Sequence, residues 1–249
     1  SDLFINKNIE RLRQKKIKIF SNHKSSNIKK CTILVVSSAI KPNNSELKNA
    51  KKLNLPVYKR GEMLGHIVSL MTNVVVTGSH GKTTTTSLIS SIFSKANLDP
   101  TIINGGVLNS IGNSAKLGKS NWCLIEADES DGSFLKIPFN YSVVTNIDNE
   151  HLDYYKSLQN LKKNFSNFLE KTPSLGKSFL CVDDKNIIET IKKTNNSNFY
   201  TYGTSKKSNF KIFKVSQTKK LSKFDLKINI PGKSKIIKNI KVPLIGLHN

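Results

Sequence analysis

The stretch that decides the fold runs from residue 74 to residue 86 and reads Val74-Val-Val-Thr-Gly-Ser-His-Gly-Lys-Thr-Thr-Thr-Thr86. An apolar strand is predicted over residues 74–77, a tight glycine turn follows, and a helix is predicted over residues 82–96. Backbone N–H groups at such a helix start can bind phosphate oxygens. The Lys82 ammonium can neutralise the β- and γ-phosphates, and the Thr83 hydroxyl can bind Mg²⁺. The spacing GxxGKT is shorter than that of the general phosphate-binding loop, but strand, turn, Gly-Lys-Thr and helix together favour a nucleotide-phosphate site over an ordinary turn. The candidate nucleotide-binding residues are Gly78, Ser79, His80, Gly81, Lys82, Thr83 and Thr84.

A cluster of acidic residues follows the next strongly apolar strand, predicted over residues 122–127. Four carboxylates lie within residues 126–131, and crowding them costs repulsion unless a cation lies among them. Ligands of open α/β sheets bind at the carboxyl ends of the strands. Glu126, where the apolar run stops, is therefore the predicted Mg²⁺ ligand. A solvated acidic turn is the alternative for this segment taken by itself.

A third apolar strand, predicted over residues 141–147, ends in polar residues that include His151. A neutral imidazole is a good metal or proton partner at pH 7, although a lone histidine is more often structural. Three strands thus end in a phosphate-binding, acidic or imidazole-bearing segment, and in a parallel sheet such ends share one edge. We expect Lys82, Thr83, Glu126 and His151 to surround a magnesium-bound nucleotide.

Strand and helix patterns alternate along most of the chain, which predicts the α/β class. Within the first 70 residues, strands are predicted at 17–20, 31–36 and 55–58 and helices at 7–16, 46–53 and 61–71. A second series of strands and helices begins at residue 73. After residue 198 the period changes to two over residues 210–215, 224–230 and 236–242, which predicts a small antiparallel meander.

The composition excludes several classes of protein. The formal net charge is +23, from 40 basic and 17 acidic residues, but only three of the basic residues are arginine. Base readers and phosphate clamps rely on arginine forks, so we interpret the lysine excess as a surface bias and expect no nucleic-acid partner. No apolar run is long enough for a membrane span. Three scattered cysteines and the lack of a secretory signal favour a reducing cytoplasm.

The motifs resemble those of the Mur ligases. GSHGKTTTT, EADESDGSF, TNIDNEHLDYY and the final His-Asn occur in the order typical of that family, and the resemblance covers essentially all 249 residues. It implies a partial Rossmann-like N-terminal domain for a UDP-sugar, residues 1–71, followed by a P-loop central domain, residues 72–249, with a mostly parallel sheet and the antiparallel meander. It also implies that a further C-terminal domain is absent, and hence that the chain alone is inactive.

The resemblance implies a reaction and a set of residue roles. ATP would phosphorylate the muramoyl carboxylate of UDP-N-acetylmuramate, and the amine of L-alanine would attack the acyl phosphate, a step of peptidoglycan synthesis. Lys82 would hold the phosphates, Thr83 and Glu126 the first Mg²⁺, and His151 a second one. Asn249 would contact the nucleotide. The oligomeric state stays open.

Two other interpretations remain. A related ligase could join a recycled tripeptide to the same UDP-sugar, which the Glu-Ser-Asp-Gly-Ser-Phe run of residues 129–134 disfavours. A lysine-rich nucleic-acid-binding P-loop ATPase would need arginine or aromatic base platforms, which the sequence does not indicate.

Overall fold

The computed structural model describes residues 1–37, 39–108, 113–244 and 246. The chain divides into two compact units, Ser1–His66 and Ile67–Asn249. No helix of the described residues is both long and apolar enough to cross a membrane.

The first unit is a small α/β arrangement built around two parallel strands. Its elements are α1 (Lys7–Gln14), a 3-10 turn (Ser25–Ile28), β1 (Leu34–Val36), α2 (Ser45–Lys52), β2 (Val57–Lys59) and the greater part of α3 (Arg60–Ser69). Strand β1 pairs with β2 in parallel. The side chains of Asn6 and Asn44 cap the first turns of α1 and α2, so asparagine fixes where both helices begin.

The strand predicted at residues 17–20 is wrong. Lys16 adopts a left-handed φ of 59°, and the Ile17 N–H donates to the Leu12 carbonyl, which ends α1 in a tight closure. Residues 17–20 form no strand.

The second unit contains one ten-stranded sheet. Its elements are β3 (Thr72–Thr77), α4 (Lys82–Lys95), β4 (Thr101–Leu108), β5 (Asn113–Lys116), β6 (Trp122–Glu126), β7 (Tyr141–Val144), α5 (Leu152–Tyr155), α6 (Leu158–Glu170), β8 (Lys177–Cys181), α7 (Lys185–Ile191), β9 (Phe199–Gly203), β10 (Phe210–Gln217), β11 (Ser222–Ile230) and β12 (Lys233–Val242). The strand order is β12-β11-β10-β9-β8-β7-β3-β6-β4-β5.

Buried β-branched and leucine side chains explain why β3 and its neighbours form the middle of the parallel part of the sheet. Val74, Ile102 and Leu124 form a buried cluster, against which Phe93 of α4 packs. The amphipathic helix α6 buries a separate aromatic group, in which Phe165 and Phe168 contact Phe134. The glycine loop that follows β3 therefore starts from a deeply buried strand.

The structure confirms the α/β class with a mostly parallel sheet and antiparallel strands. The antiparallel meander β10–β12 is not separate from the parallel part, because β9 pairs in parallel with both β8 and β10 and joins the two. Sequence analysis missed β9, β4 and β5. Residues 104–105 lie inside β4, which pairs in parallel with β6.

Candidate active site

The order of the strands brings the candidate residues together. Strand β3 lies between β6 and β7, and both neighbours run parallel to it. The loop after β3 therefore emerges between the segments that follow β6 and β7, at the carboxyl edge of the sheet. This is the edge on which ligands bind in open α/β folds.

The loop itself is crowded by the segment after β7. Gly78 has a φ of +128°, and a methyl group there would lie 2.3 Å from Thr145 Oγ1 and 2.8 Å from the Asn146 carbonyl oxygen. Gly81 then adopts a left-handed conformation at the start of α4, and no side chain caps the first turn of that helix. The first N–H groups of α4 are thus left available for a ligand.

The side chain of Asn146, which follows β7, holds the loop through two hydrogen bonds. Its side-chain oxygen accepts from the His80 N–H at 2.8 Å, and its amide donates to the His80 carbonyl at 3.0 Å. The Thr145 hydroxyl donates to the same carbonyl at 2.6 Å. The Ser79 hydroxyl accepts from the Asp148 N–H at 2.8 Å. These bonds fix the backbone of the turn without using the N–H groups of α4.

The His80 imidazole faces acidic residues rather than the core. Its Nε2 lies 3.1 Å from Asp148 Oδ2 and 3.8 Å from Glu150 Oε1, and all three side chains are substantially exposed. The N–H of Asn149 and the His80 ring both hydrogen-bond Asp148, and together they lower the pKa of that carboxyl below its ordinary value.

Lys82 turns its ammonium into the loop. Lys82 Nζ donates to the Gly78 carbonyl at 2.7 Å and to the Ser79 carbonyl at 3.2 Å. It also forms an ion pair with Glu129 Oε2 at 2.9 Å. Glu129 is fully buried, and Lys82 is 13% exposed.

Thr83 and Glu126 meet beside Lys82. The Thr83 hydroxyl donates to Glu126 Oε2 at 3.0 Å. A methyl group at Gly105 would lie 3.3 Å from Glu126 Oε1, so the backbone of β4 closes the other side of this carboxylate. Thr83 and Glu126 are thus neighbours, as the convergence of strand ends predicts.

His151 approaches the same group of residues from β7. It occupies the position before α5 with a left-handed φ of 56°. Its Nε2 lies 3.3 Å from Glu129 Oε1, outside hydrogen-bonding geometry. The Tyr155 hydroxyl of α5 donates to the Glu129 backbone carbonyl, and burial raises the pKa of Tyr155. Helix α5 thereby holds both His151 and the segment that carries Glu129.

The donor set fits a divalent cation. Ligand atoms of Asp128, Glu129 and His151 all lie within 4.8 Å of one another, and the buried Glu129 Oε1 accepts no hydrogen bond from the described residues. The Thr83 hydroxyl and the Glu126 carboxylate add oxygen donors, the type that Mg²⁺ prefers. The sequence-predicted ligand Glu126 is outside the three-residue group, which sequence analysis did not separate from the rest of the acidic cluster.

The structure brings most of the predicted site residues to one edge. Thr84 lies half-buried in the first turn of α4. Asn249, expected to contact the nucleotide, lies outside the described residues. Sequence analysis missed Glu129 and Asn146 as site residues. The polar run after β7 signalled Asn146, whereas nothing in the acidic run distinguishes Glu129 from its neighbours.

Comparison with protein-family models agrees with this arrangement. Residues 76–249 match the Mur ligase middle domain, and residues 1–72 match the model described as Mur ligase family, catalytic domain. The chain therefore belongs to the Mur ligase family.

Within that family, two curated relatives of this chain carry the same enzyme name. The chain is 62% identical over 250 aligned residues to the UDP-N-acetylmuramate–L-alanine ligase of Pelagibacter ubique, with 100% of the chain and 54% of that protein covered. It is 39% identical to the enzyme of the same name from Brucella anthropi, with 100% and 53% covered. The chain spans about half the length of these relatives.

Solved structures share the fold. A ligase for UDP-N-acetylmuramate and L-alanyl-γ-D-glutamyl-meso-diaminopimelate from Neisseria meningitides matches with a TM-score of 0.81 at 20% identity, covering 99% of this chain and 80% of that one. The UDP-N-acetylmuramate–alanine ligase of Thermotoga maritima matches with a TM-score of 0.73 at 23% identity, covering 96% of this chain and 53% of that one.

Proposed function

We propose that the chain is the nucleotide-binding part of an ATP-dependent ligase that joins L-alanine to the muramoyl carboxylate of UDP-N-acetylmuramate. The observation that carries this proposal is the 62% identity, over the whole chain, to a relative of that name. The meeting of Lys82, Thr83, Glu126, Glu129 and His151 at one sheet edge supports it. Such a reaction belongs to the cytoplasm, where ATP and nucleotide sugars are found.

The reaction needs negative charge to be neutralised on the γ-phosphate while the muramoyl carboxylate attacks it. The first N–H groups of α4 bind phosphate oxygens, and Lys82 supplies a positive charge beside them. The carboxylate oxygen forms a bond to phosphorus and ADP leaves. The amine of L-alanine then attacks the acyl carbon, loses a proton and expels phosphate, which yields the amide.

Thr83 and Glu126 would hold a first Mg²⁺ and His151 a second one. When bound, Mg²⁺ supplies charge neutralisation for the transferring phosphoryl group. The hydrogen bond from Thr83 turns the Glu126 carboxylate toward α4. The Asn146 bonds keep the loop backbone open to a phosphate. Asn249 is proposed to contact the nucleotide.

The two domains would each bind a different substrate. Residues 1–71 would bind the UDP-sugar, and residues 72–249 would bind ATP. The first unit contains a cavity of about 780 Å³ lined by polar and apolar side chains, among them Lys18, His23 and Ser37, which is large enough for part of a nucleotide sugar.

The test is ligation by the full-length enzyme with UDP-N-acetylmuramate, ATP and radiolabelled L-alanine. We expect Lys82→Ala to lower kcat by more than tenfold, a loss above about 1.4 kcal/mol of transition-state stabilisation. Lys95→Ala, at the far end of the same helix, serves as the control and should retain activity. Retention of more than a tenth of the wild-type kcat in Lys82→Ala would exclude Lys82 as the phosphate-binding lysine.

The same assay addresses the alternative acceptor. Incorporation of a tripeptide, with no incorporation of L-alanine, would assign the enzyme to murein-peptide ligation instead. The relatives at 62% and 39% identity favour L-alanine, since both are named for it.

A further inference from the structure

Glu129 is a buried acid to which the reaction above assigns no role. Its side chain is fully buried, whereas Asp128 beside it is exposed. One carboxylate oxygen pairs with Lys82 at 2.9 Å, and the other lies 3.3 Å from His151 Nε2. A buried carboxylate is tolerated only when it is paired, so these two contacts explain how the charge can be there.

The contacts of Lys82 occupy its ammonium completely. The group has three donors, and it contacts three acceptors, the carbonyls of Gly78 and Ser79 and the carboxylate of Glu129. It cannot contact a phosphate without giving up at least one of them. Of the three acceptors, the charged one forms the strongest bond.

The position of Glu129 does not depend on Lys82 alone. Its backbone carbonyl accepts from the Tyr155 hydroxyl, and its backbone also accepts from the Gly132 N–H at 3.1 Å. The segment that carries the carboxylate is therefore held by hydrogen bonds that do not involve Lys82.

We propose that Glu129 is a positioning residue that holds Lys82 in the phosphate-binding loop, and faces His151 with its other oxygen, until a nucleotide phosphate takes the ammonium from it. The proposal rests on the proposed function in taking that ligand to be a nucleoside triphosphate. It links the loop after β3 to the histidine after β7 through one side chain.

The first test measures thermal unfolding of the 249-residue chain without nucleotide. Lys82→Met leaves the buried Glu129 charge without its main partner, so we expect a lower Tm. Adding Glu129→Gln to that variant removes the charge and should raise Tm again, by about 4 °C or more. A double variant with a Tm below that of Lys82→Met would overturn the proposal, because Glu129 would then be needed for another structural reason.

The second test measures the affinity of the chain for a fluorescent ATP analogue in EDTA. Glu129→Gln should tighten binding about fivefold, because the bond that Lys82 gives up is then to a neutral partner and roughly half as strong. The matched control is Glu150→Gln, which makes the same charge change on an exposed residue and should shift the affinity less than twofold.

The action through Lys82 is checked in the Lys82→Met background. In that background, Glu129→Gln should no longer tighten binding of the ATP analogue. An equal gain in that background, or weaker binding by Glu129→Gln alone, would contradict the proposal, since the carboxylate would then act by repulsion or by shaping the site.

The two proposals fail in different ways. A full-length enzyme that ligates no L-alanine would end the proposed function and leave the Tm comparison intact. If the wild-type chain binds no ATP analogue, a nucleotide phosphate cannot be what takes Lys82 from Glu129. The Tm comparison would still decide whether Glu129 holds Lys82.

Discussion

Gly78 illustrates how a single residue sets the geometry of the loop. Its φ of +128° lies where side chains are disfavoured, and the space a methyl group would need is taken by Thr145 and Asn146. Strain and collision therefore act together at this position.

We expect Gly78→Ala to lower the free energy of unfolding by about 3 kcal/mol or more, the sum of backbone strain and overpacking. Gly232 provides the control, because it has a positive φ of 74° but a methyl group there would meet no atom within 4 Å. Gly232→Ala should cost only about 1–2 kcal/mol, the strain alone. Urea unfolding of both variants measures the difference, and equal losses would show that the contact with Thr145 is relieved at little cost.

At the same scale, the place of a residue in the fold is predictable where the residue belongs to a clear local pattern. Lys82 and Thr83 follow a glycine turn, so their position was predictable. Glu129 was not, because four acids share one short run and the sequence does not say which of them packs under the lysine. Burial of one acid in such a run is decided by α5 and the loop after β3, which are remote in sequence.

Helix α2 depends on an acidic residue near its start. Glu46 lies in the first turn and is buried. Burial raises the pKa of this carboxyl, but hydrogen bonds from Ser1, Asn27 and His23 outweigh that effect and hold the pKa below its ordinary value of 4.5.

A lowered pKa means that Glu46 stabilises the first unit above pH 4.5 and that this contribution is lost as the pH falls through the lowered pKa. We expect Glu46→Gln to speed hydrogen exchange of the α2 amides at pH 7, with the difference from wild type shrinking below pH 4.5. Glu10→Gln, an exposed acid of α1, is the control. A difference that stays constant with pH would mean that the carboxylate charge contributes nothing.

At the level of elements, the sequence pattern predicted those with a long apolar run, such as β3 and β6. It failed for β9 and for residues 17–20. Strand β9 reads Phe-Tyr-Thr-Tyr-Gly without alternation, and only its partners β8 and β10 define it as a strand. Strand order depends on contacts between distant segments, which no local pattern contains.

The whole molecule carries its charge unevenly. Residues 206–241 contain twelve lysines and one acid, Asp225. In the meander, Lys211 lies directly opposite Lys227, and Lys223 lies opposite Lys241. Like charges directly opposite each other destabilise a sheet.

We expect added salt to stabilise the chain by screening these pairs. Raising NaCl from low to physiological concentration should raise Tm by about 2–4 °C, which corresponds to ~1 kcal/mol for a chain of this size. Lys227→Glu, which turns one repulsive pair into an attractive one, should raise Tm at low salt and reduce the effect of NaCl. A Tm that does not respond to NaCl would show that the repulsion is already relieved.

The placement of β12 gives the same lysines a second consequence. Among the described residues β12 is an outermost strand, so the backbone groups along one side of it have no partner strand. An open edge of ten residues invites a strand from another molecule to add to it, which is how fibrils and amorphous aggregates begin. Lys233, Lys235, Lys238 and Lys241 place a cation every two or three residues along that edge. The lysines that destabilise the sheet by mutual repulsion thus also disfavour its association with other molecules.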